Sequence, residues 1–511
     1  MKKNNLVISS VIMLVFSVIA KLSGFLREIA FAYFYGATNI TDAYIASTTI
    51  VSAIFAGVTV AVTTGYIPSI SSVNREKVSE TTSNIINTVV VFIFFTSIIG
   101  VLFAENLIPF VAVDFTEETK LISANMLKIM LPFSFLQVTY NILNGYMQFN
   151  NVFWTVGVAI VLYNLVSIMF YAVSYGNTTI LAVGYVLAWV VASIFLMIVA
   201  RKKDFKYSFV LKPNDEVIKN VVKLGMPIFL GQLIFQLNTI IDKNFASFLG
   251  EGVMTIMKYA NMLTSFVISV FVVSVVATIY PTLSKLASEN NLVEYKKITS
   301  SSMNIILMFV IPLSTAFIIL SSQIVEVVFL RGEFTAENAK ITSQALVAYS
   351  LGLPAISLNE ILNKQFYSLK DTKTPVLCNI LSLSVNILLN FVLVKNLQHI
   401  GLALATSIAT TVLASVLYFK LSKKMGDFDT KKLLSNLAKM IFSAVIMGMF
   451  IILLLKNIAV FTENLGNLGN VLEIMCCAFV GVPIYFALIS ILKIDEFNMA
   501  ITFIKNKMKK A

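Results

Sequence analysis

Long apolar segments recur along the whole chain and are separated by short polar loops. Most have the length of roughly 20 residues or more that an α-helix needs to cross the hydrocarbon core of a bilayer. The pattern predicts an all-α polytopic membrane protein with fourteen transmembrane helices. The predicted spans are residues 6–35, 43–66, 83–104, 122–146, 152–174, 179–200, 224–249, 255–280, 301–321, 341–368, 375–395, 400–420, 437–457 and 470–492.

Basic residues lie mostly in alternate loops between these spans. If the N-terminus is cytoplasmic, 27 of the 38 lysines and arginines fall on the cytoplasmic side and five on the opposite side, as the positive-inside rule requires. We therefore expect both termini in the cytoplasm, with a basic linker at 201–223 and a basic tail at 493–511. The net charge of +12 follows from this topology and does not indicate nucleic-acid binding.

The composition changes this picture little. Hydrophobic residues make up 58% of the chain and charged residues 13%, which leaves no sizeable soluble domain. The three cysteines lie in apolar segments, and the single histidine, His399, lies in a short loop. They form neither a disulfide framework nor a metal motif. This count argues against metal chemistry and against histidine-based acid–base catalysis, and we expect a protein that is not an enzyme and has no cofactor except a sodium ion.

A weak internal repeat divides the helices into two halves. Leu131-Pro132 recurs as Leu353-Pro354, and Asn164 recurs as Asn386, both with an offset of 222 residues. The repeat predicts two pseudo-symmetric six-helix lobes around a central cavity, followed by two C-terminal helices. Such proteins usually bind substrate in the cleft and alternate between inward-open and outward-open states. The predicted boundaries are 1–200 for the N-terminal lobe, 224–421 for the C-terminal lobe and 437–492 for the last two helices.

Three charged residues interrupt the first apolar segment: Lys21, Arg27 and Glu28. Each costs about 2.5–3.5 kcal/mol at the centre of a membrane, so such residues usually face a polar cavity or pair with one another. Lys21 and Arg27 are six residues apart and lie along one side of a helix. Arg27 and Glu28 point about 100° apart and are expected not to neutralise each other fully. The pattern predicts a cationic strip, with snorkelling to the headgroups as the alternative.

Four stretches of the chain form distinctive motifs: Ala20-Lys21-Leu22-Ser23-Gly24-Phe25-Leu26-Arg27-Glu28, Thr41-Asp42-Ala43, Asn238-Thr239-Ile240-Ile241-Asp242-Lys243 and Phe366-Tyr367-Ser368-Leu369-Lys370-Asp371-Thr372. They resemble motifs of the MurJ family, lipid II flippases within a superfamily of multidrug and oligosaccharidyl-lipid exporters. The resemblance covers nearly the whole chain and is least specific in the last two helices. It implies a flippase of the bacterial cytoplasmic membrane. Such a flippase moves the undecaprenyl-diphosphate-linked peptidoglycan precursor, lipid II, to the outer leaflet by alternating access for cell-wall synthesis.

The resemblance also implies a cargo site. Cations can replace the water shell of a diphosphate in the membrane, and guanidinium groups match phosphate oxygens well. Two arginines that the family usually carries, in its second and eighth helices, are missing here. Lys258, one turn before the second of these positions, is expected to restore a charge. The predicted cargo-binding residues are Lys21, Ser23, Arg27, Glu28, Asp42 and Lys258.

A second set of polar residues lies in the predicted helices 7, 11 and 12. Carboxylate, amide, hydroxyl and carbonyl oxygens suit a hard monovalent cation, and by resemblance these positions match a sodium site of the family. The alternative is that the amides and the hydroxyl only join helices by hydrogen bonds, with Lys243 neutralising the carboxylate. The predicted sodium ligands are Asp242, Asn386, Asn390, Leu402 and Thr406.

Three classes of function remain open. The first is a flippase for lipid II, or for another polyprenyl-diphosphate-linked oligosaccharide. The second is a drug–cation antiporter, which would need an acidic or aromatic site where this chain is cationic. The third is a membrane glycosyltransferase or polymerase, which would normally show a large external loop or clustered carboxylates. The expected partners are the cargo lipid, membrane lipids and the cell-wall synthesis machinery, and no nucleic acid.

Overall fold

The computed structural model describes residues 3–497, with the side chains of 3–14 and of 227, 228, 230, 231, 234, 235 and 463 left aside. Within this range the chain is helical apart from short loops and contains no strand. The helices are α1 (Lys3–Tyr35), α2 (Asn39–Ile70), α3 (Val78–Leu102), α4 (Ala104–Val111), α5 (Glu117–Met130), α6 (Phe135–Phe149), α7 (Trp154–Ser174), α8 (Thr178–Arg201), α9 (Glu216–Ser247), α10 (Val253–Val267), α11 (Val273–Ser288), α12 (Leu292–Ile319), α13 (Ser321–Phe329), α14 (Ala336–Ser368), α15 (Lys373–Met425), α16 (Thr430–Thr462) and α17 (Asn467–Ile491).

The predicted all-α membrane fold is confirmed. Eleven helical segments of the described residues are long and apolar enough to cross a membrane. The predicted count of fourteen is compatible with these eleven, because α1 and α9 cover two further predicted spans. In addition, the 53-residue α15 is interrupted at Gln398, whose backbone is not helical (φ 49°, ψ −129°). This break lies between the predicted spans 375–395 and 400–420.

Two predicted spans depart from α-helical geometry in their interior. The span predicted at 122–146 contains a 3₁₀ turn at Leu131–Phe133, where Pro132 lacks the N–H group that an α-helix interior needs. The span predicted at 255–280 contains a π-helical turn at Ile268–Val272. The short helices α4 and α13, of 8 and 9 residues, were not predicted because neither is long enough to give a spanning signal.

Helix ends are fixed by polar side chains in the loops. Thr38 forms a capping box with Thr41 at the start of α2. The side chain of Asn177 accepts hydrogen bonds from two backbone N–H groups at the start of α8. Asp215 and Thr335 cap α9 and α14 in the same way. Because the first backbone N–H groups of a helix have no partner within it, such caps determine where each helix begins.

The chain packs as two compact units. The first comprises Met1–Thr255 and Arg331–Phe334, and the second comprises Ile256–Leu330 and Thr335–Ala511. In the first unit α2 packs along α9 at very short range. A Cβ atom at Gly65 would lie 2.7 Å from the carbonyl oxygen of Val221, so only glycine permits this approach. The boundaries of the two predicted lobes stay a prediction.

The second unit is joined by small polar residues. Ser314 on α12 donates to the carbonyl oxygen of Ser350 on α14 at 2.6 Å. Ser407 on α15 donates to the carbonyl oxygen of Ala348 on α14 at 2.7 Å. Lipid tails are as apolar as leucine side chains, so membrane helices associate through close packing and hydrogen bonds of this kind.

Candidate functional site

Arg27 on α1 lies at the centre of a polar cluster in the first unit. Its Nη2 forms a salt bridge with Oε1 of Glu28 at 2.6 Å, and its Nη1 donates to Oδ1 of Asn164 on α7 at 3.1 Å. The Nε–H group is buried and has no partner among the described residues. Since a guanidinium carries five N–H donors, two contacts fix its position and leave N–H groups for a further ligand.

The sequence predicts that Arg27 and Glu28 do not neutralise each other fully, whereas the structure pairs them directly in a salt bridge. Helix geometry separates their Cβ directions, but the long arginine side chain reaches back to the carboxylate of the next residue. Lys21 is exposed on the same helix, and six residues of helix place it about 9 Å away along the axis. The cationic strip is therefore weaker than predicted, with one formal charge in excess.

Asn164 and Ser23 hold the cluster together. The Nδ2 of Asn164 donates to Oγ of Ser23 at 2.8 Å, and this Oγ donates to the carbonyl oxygen of Ala20 at 2.8 Å. Only 1% of Asn164 is exposed. Both polar atoms of its amide therefore form hydrogen bonds: the nitrogen donates to Ser23, and the oxygen accepts from the guanidinium. Ser23 supports Asn164, and no hydrogen bond joins it to Arg27 directly.

Aromatic side chains surround the guanidinium. The Cζ of Arg27 lies 5.4 Å from the ring centroid of Tyr163, within the range of a cation–π interaction. The ring of Phe31 lies 5.0 Å from that of Tyr44 and 4.7 Å from that of Tyr171. All four rings are buried. An apolar surrounding of this kind strengthens any electrostatic interaction that Arg27 makes.

Asn164 and the tyrosines of this site are not among the residues that the sequence predicts for it. Asn164 was noted only for its repetition as Asn386. A usable signal was present on α7, where Tyr163 and Tyr171 are eight residues apart and so lie on one face of the helix. Nothing in the local pattern indicated that this face contacts α1.

Asp42 lies elsewhere in the first unit and has a structural role. Its Oδ2 accepts from the backbone N–H of Gly252 at 2.8 Å. Its Oδ1 accepts from the backbone N–H and the hydroxyl of Thr255 at 2.9 and 2.6 Å. Asp42 is 1% exposed. The carboxylate therefore caps the first turn of α10, and its predicted contribution to the cargo site stays a prediction.

Lys258, the remaining predicted cargo residue, is half-buried on α10 and belongs to the second unit. Its predicted contribution to the cargo site stays a prediction.

Four of the five predicted sodium ligands lie together in the second unit. The Nδ2 of Asn390 donates to Oδ1 of Asn386 at 3.0 Å, and the Nδ2 of Asn386 lies 3.4 Å from Oγ1 of Thr406. The hydroxyl of Thr406 donates to the carbonyl oxygen of Leu402 at 3.2 Å. The fifth residue, Asp242, is half-buried on α9 of the first unit.

This arrangement joins the two halves of α15 by hydrogen bonds, as the alternative interpretation requires. A cation at this place would take the oxygens of Asn386 and Thr406, and the amide of Asn390 would have to rotate. Lys243, the other charge on α9 near Asp242, donates a short hydrogen bond to the hydroxyl of Thr49 on α2.

Known proteins match this chain over most of its length. The sequence profile described as "Lipid II flippase MurJ" matches residues 31–472. A "Probable lipid II flippase MurJ" of Buchnera aphidicola subsp. Baizongia pistaciae is 29% identical over 462 residues, covering 86% of this chain and 88% of the relative.

Solved structures give the same result. One of "Lipid II flippase MurJ, inward closed conformation" has a TM-score of 0.79 and 25% identity, covering 94% of this chain and 99% of that one. An inward-facing multidrug resistance MATE family transporter of the MOP superfamily has a TM-score of 0.64 and 16% identity, covering 82% of this chain and 99% of that one. At this identity the transporter shows a shared fold alone.

Proposed function

Because this chain belongs to the family of the lipid II flippase MurJ, whose members are transporters rather than enzymes, we propose that Arg27 binds the diphosphate of lipid II during its transfer across the membrane. The chain is a multi-pass membrane protein, and we infer from its family that it lies in the bacterial inner membrane and that its cargo is lipid II. The proposal concerns how the residues of the first unit recognise this lipid.

The geometry of the Arg27 guanidinium carries the proposal. Glu28 and Asn164 each accept a hydrogen bond from one of its N–H groups, and the buried Nε–H has no hydrogen-bond partner among the described residues. Two N–H groups on one edge of a guanidinium bind two oxygens of a phosphate at once. A preorganised donor loses little entropy on binding, so fixing the arginine before the cargo arrives favours affinity.

The surroundings of Arg27 favour an anion over a cation. The packed rings of Tyr163, Tyr44 and Tyr171 exclude water from one side of the cluster, while Lys21 adds an exposed positive charge. Glu28 is already paired and so offers little to a cationic drug. These features support a lipid diphosphate as the ligand and speak against a drug–cation antiporter.

Further parts of the proposal rest on the sequence. The distribution of basic residues supports a topology with both termini in the cytoplasm, and the two-lobe pattern supports transfer to the outer leaflet by alternating access. We also propose that Asp242, Asn386, Asn390, Leu402 and Thr406 bind a sodium ion. An association with the cell-wall synthesis machinery also stays a prediction.

Rescue of bacteria depleted of their own lipid II flippase tests the proposal. We expect the unmodified chain to restore growth and Arg27→Ala to fail. Lys128→Ala is the matched control, because it removes another cation from a predicted span. The Nζ of Lys128 lies 2.8 Å from Oε1 of Glu105, and neither residue belongs to the Arg27 cluster. Growth restored by Arg27→Ala as well as by Lys128→Ala would contradict the proposed role of Arg27.

A further inference from the structure

The linker between α8 and α9 is fixed along the side of α3, although it has no regular secondary structure. Asn84 donates to the carbonyl oxygen of Lys212 at 3.1 Å and accepts from the N–H of the same residue at 2.7 Å. Asn87 donates to the carbonyl oxygens of Val210 and Ser208 at 2.9 and 3.2 Å. We call residues 205–212 the strap.

The strap is also anchored at its N-terminal end. Phe205 is buried, with its ring centroid 5.0 Å from that of Tyr146 on α6. The hydroxyl of Tyr207 donates to Oδ1 of Asn87 at 2.6 Å. Asn84 and Asn87 are 2% and 6% exposed, so their amides serve the strap and not the solvent. A loop held at this many points presents its outer side chains in a fixed arrangement.

The outer side of the strap is apolar. Phe209 is 87% exposed, and Tyr207 and Leu211 are each 46% exposed, while Ser208 and Val210 between them are half-buried. This alternation is that of an extended segment with one face packed on the protein. Three large apolar side chains on one exposed face need a covering partner, because a solvated loop would gain nothing from presenting them.

Basic side chains flank this apolar face. Residues 201–212 contain five lysines and arginines and a single acidic residue, Asp204. Lys202, Lys203 and Lys206 are exposed and Lys212 lies 3.6 Å from Glu80. A surface that combines aromatic rings with lysines matches the interface of a bilayer that contains anionic lipids, where rings enter the headgroup layer and lysines contact phosphates.

The position of the strap along α3 agrees with this partner. The strap contacts Ser83, Asn84 and Asn87 in the first turns of α3. Beyond them the exposed residues of the helix become apolar, beginning with Val91 and Phe92. The strap therefore lies where the surface of α3 changes from polar to apolar, which is the level of the headgroups.

We propose that the strap is a membrane-interface anchor that inserts Tyr207, Phe209 and Leu211 among the headgroups and binds anionic phospholipid through Lys202, Lys203 and Lys206. The occupant is the bilayer surface itself, on the predicted cytoplasmic side. The anchor fixes the linker between α8 and α9 at one depth in the membrane.

Tryptophan fluorescence of the full chain in nanodiscs tests this proposal. Phe209→Trp is introduced, and the emission of the unmodified chain, which has two tryptophans, is subtracted. Two nanodisc preparations are compared. The brominated phospholipid is anionic in one and zwitterionic in the other, and in both it is a minority component. We expect quenching by both, and stronger quenching by the anionic lipid at equal share. Replacing Lys202, Lys203 and Lys206 by Gln should remove this excess. Each lysine replaced should lower the affinity for the anionic lipid, relative to the zwitterionic lipid, by about fivefold.

Tyr175→Trp provides the matched control. Tyr175 is 94% exposed in the loop between α7 and α8 and has no basic neighbour in sequence, so any quenching there should not depend on lipid charge. Emission of Phe209→Trp that stays at the wavelength of water and is not quenched would overturn the anchor and favour a soluble protein partner. Quenching without an excess for anionic lipid would overturn the role of the lysines.

Discussion

Two polar clusters lie within the predicted membrane spans of this protein, and they differ in charge. The cluster of the first unit is built around the guanidinium of Arg27 and its salt bridge with Glu28. The cluster of the second unit is built from neutral groups, the amides of Asn386 and Asn390 and the hydroxyl of Thr406. The two clusters share an asparagine at positions 222 residues apart, Asn164 and Asn386.

The difference shows that one residue type serves two purposes at these positions. The amide of Asn164 uses its oxygen and its nitrogen to orient a charged side chain. Its cluster therefore presents hydrogen-bond donors and suits an anion. Asn386 forms hydrogen bonds with other neutral groups, and its cluster presents oxygen atoms. These suit a cation only if a carboxylate such as Asp242 adds negative charge. The following predictions test whether the clusters are separate in function.

The largest effect is expected from Arg27. Arg27→Ala should lower lipid II transport by about a hundredfold or more, because two hydrogen bonds to a charged phosphate contribute about 1.5–3 kcal/mol each. Arg27→Lys should lose about tenfold, since it keeps the charge but not the paired N–H groups. Transport into proteoliposomes, with insertion verified for each variant, measures both. Equal transport by Arg27→Ala and the unmodified chain would remove the guanidinium from the mechanism.

A pair of asparagine substitutions should separate the two clusters. Asn164→Leu should weaken lipid II binding by about tenfold, because the guanidinium loses one of its two positioning contacts worth about 1–1.5 kcal/mol. Asn386→Leu should leave lipid II binding within about twofold and abolish any effect of sodium. Native mass spectrometry measures lipid II binding, and melting in sodium measures the ion effect. If each substitution alters both readouts equally, the clusters act as one site.

Sodium should stabilise the second cluster modestly. At ten times its dissociation constant, the ion should raise the free energy of unfolding by about 1.4 kcal/mol through mass action, and Asp242→Asn should remove this gain. The measurement compares melting temperatures in sodium and in an equal concentration of choline. Identical melting of the unmodified chain in both salts would leave Asn386, Asn390 and Thr406 as helix-packing residues.

The smallest effect is expected outside both clusters, at Asp371 in the loop before α15. Burial raises the pKa of this carboxyl, but hydrogen bonds from Lys424 and Thr374 outweigh it and hold the pKa below its ordinary value. Its contribution is therefore complete above the ordinary pKa and is lost as the pH falls through the lowered value. Asp371→Ala should cost about 1 kcal/mol at neutral pH.

Melting temperature measured as a function of pH checks this last prediction. The difference between Asp371→Ala and the unmodified chain should shrink at acidic pH, where the carboxyl is protonated. A difference that stays constant from neutral to strongly acidic pH would show that the ionised carboxylate does not stabilise the loop.

The sequence predicted the membrane fold and the family, because long apolar segments have few physical explanations, while the role of Arg27 stays a prediction. It could not predict that Arg27 reaches Glu28, since that depends on a side-chain rotamer. It also could not predict that Asn164 is a partner of Arg27. The two residues are 137 positions apart in the chain, and only the packing of α7 on α1 brings them together. Nor could the sequence predict that the carboxylate of Asp42 accepts hydrogen bonds from Gly252 and Thr255.

The role proposed for Arg27 is recognition of the cargo diphosphate. Its most direct test is the ratio of the dissociation constants for lipid II and undecaprenyl monophosphate, measured by native mass spectrometry for the unmodified chain and for Arg27→Ala. The second phosphate adds charge-assisted hydrogen bonds, so we predict a preference for lipid II of at least about tenfold in the unmodified chain. In Arg27→Ala this preference should fall close to one. A ratio that is the same in both proteins would contradict the account.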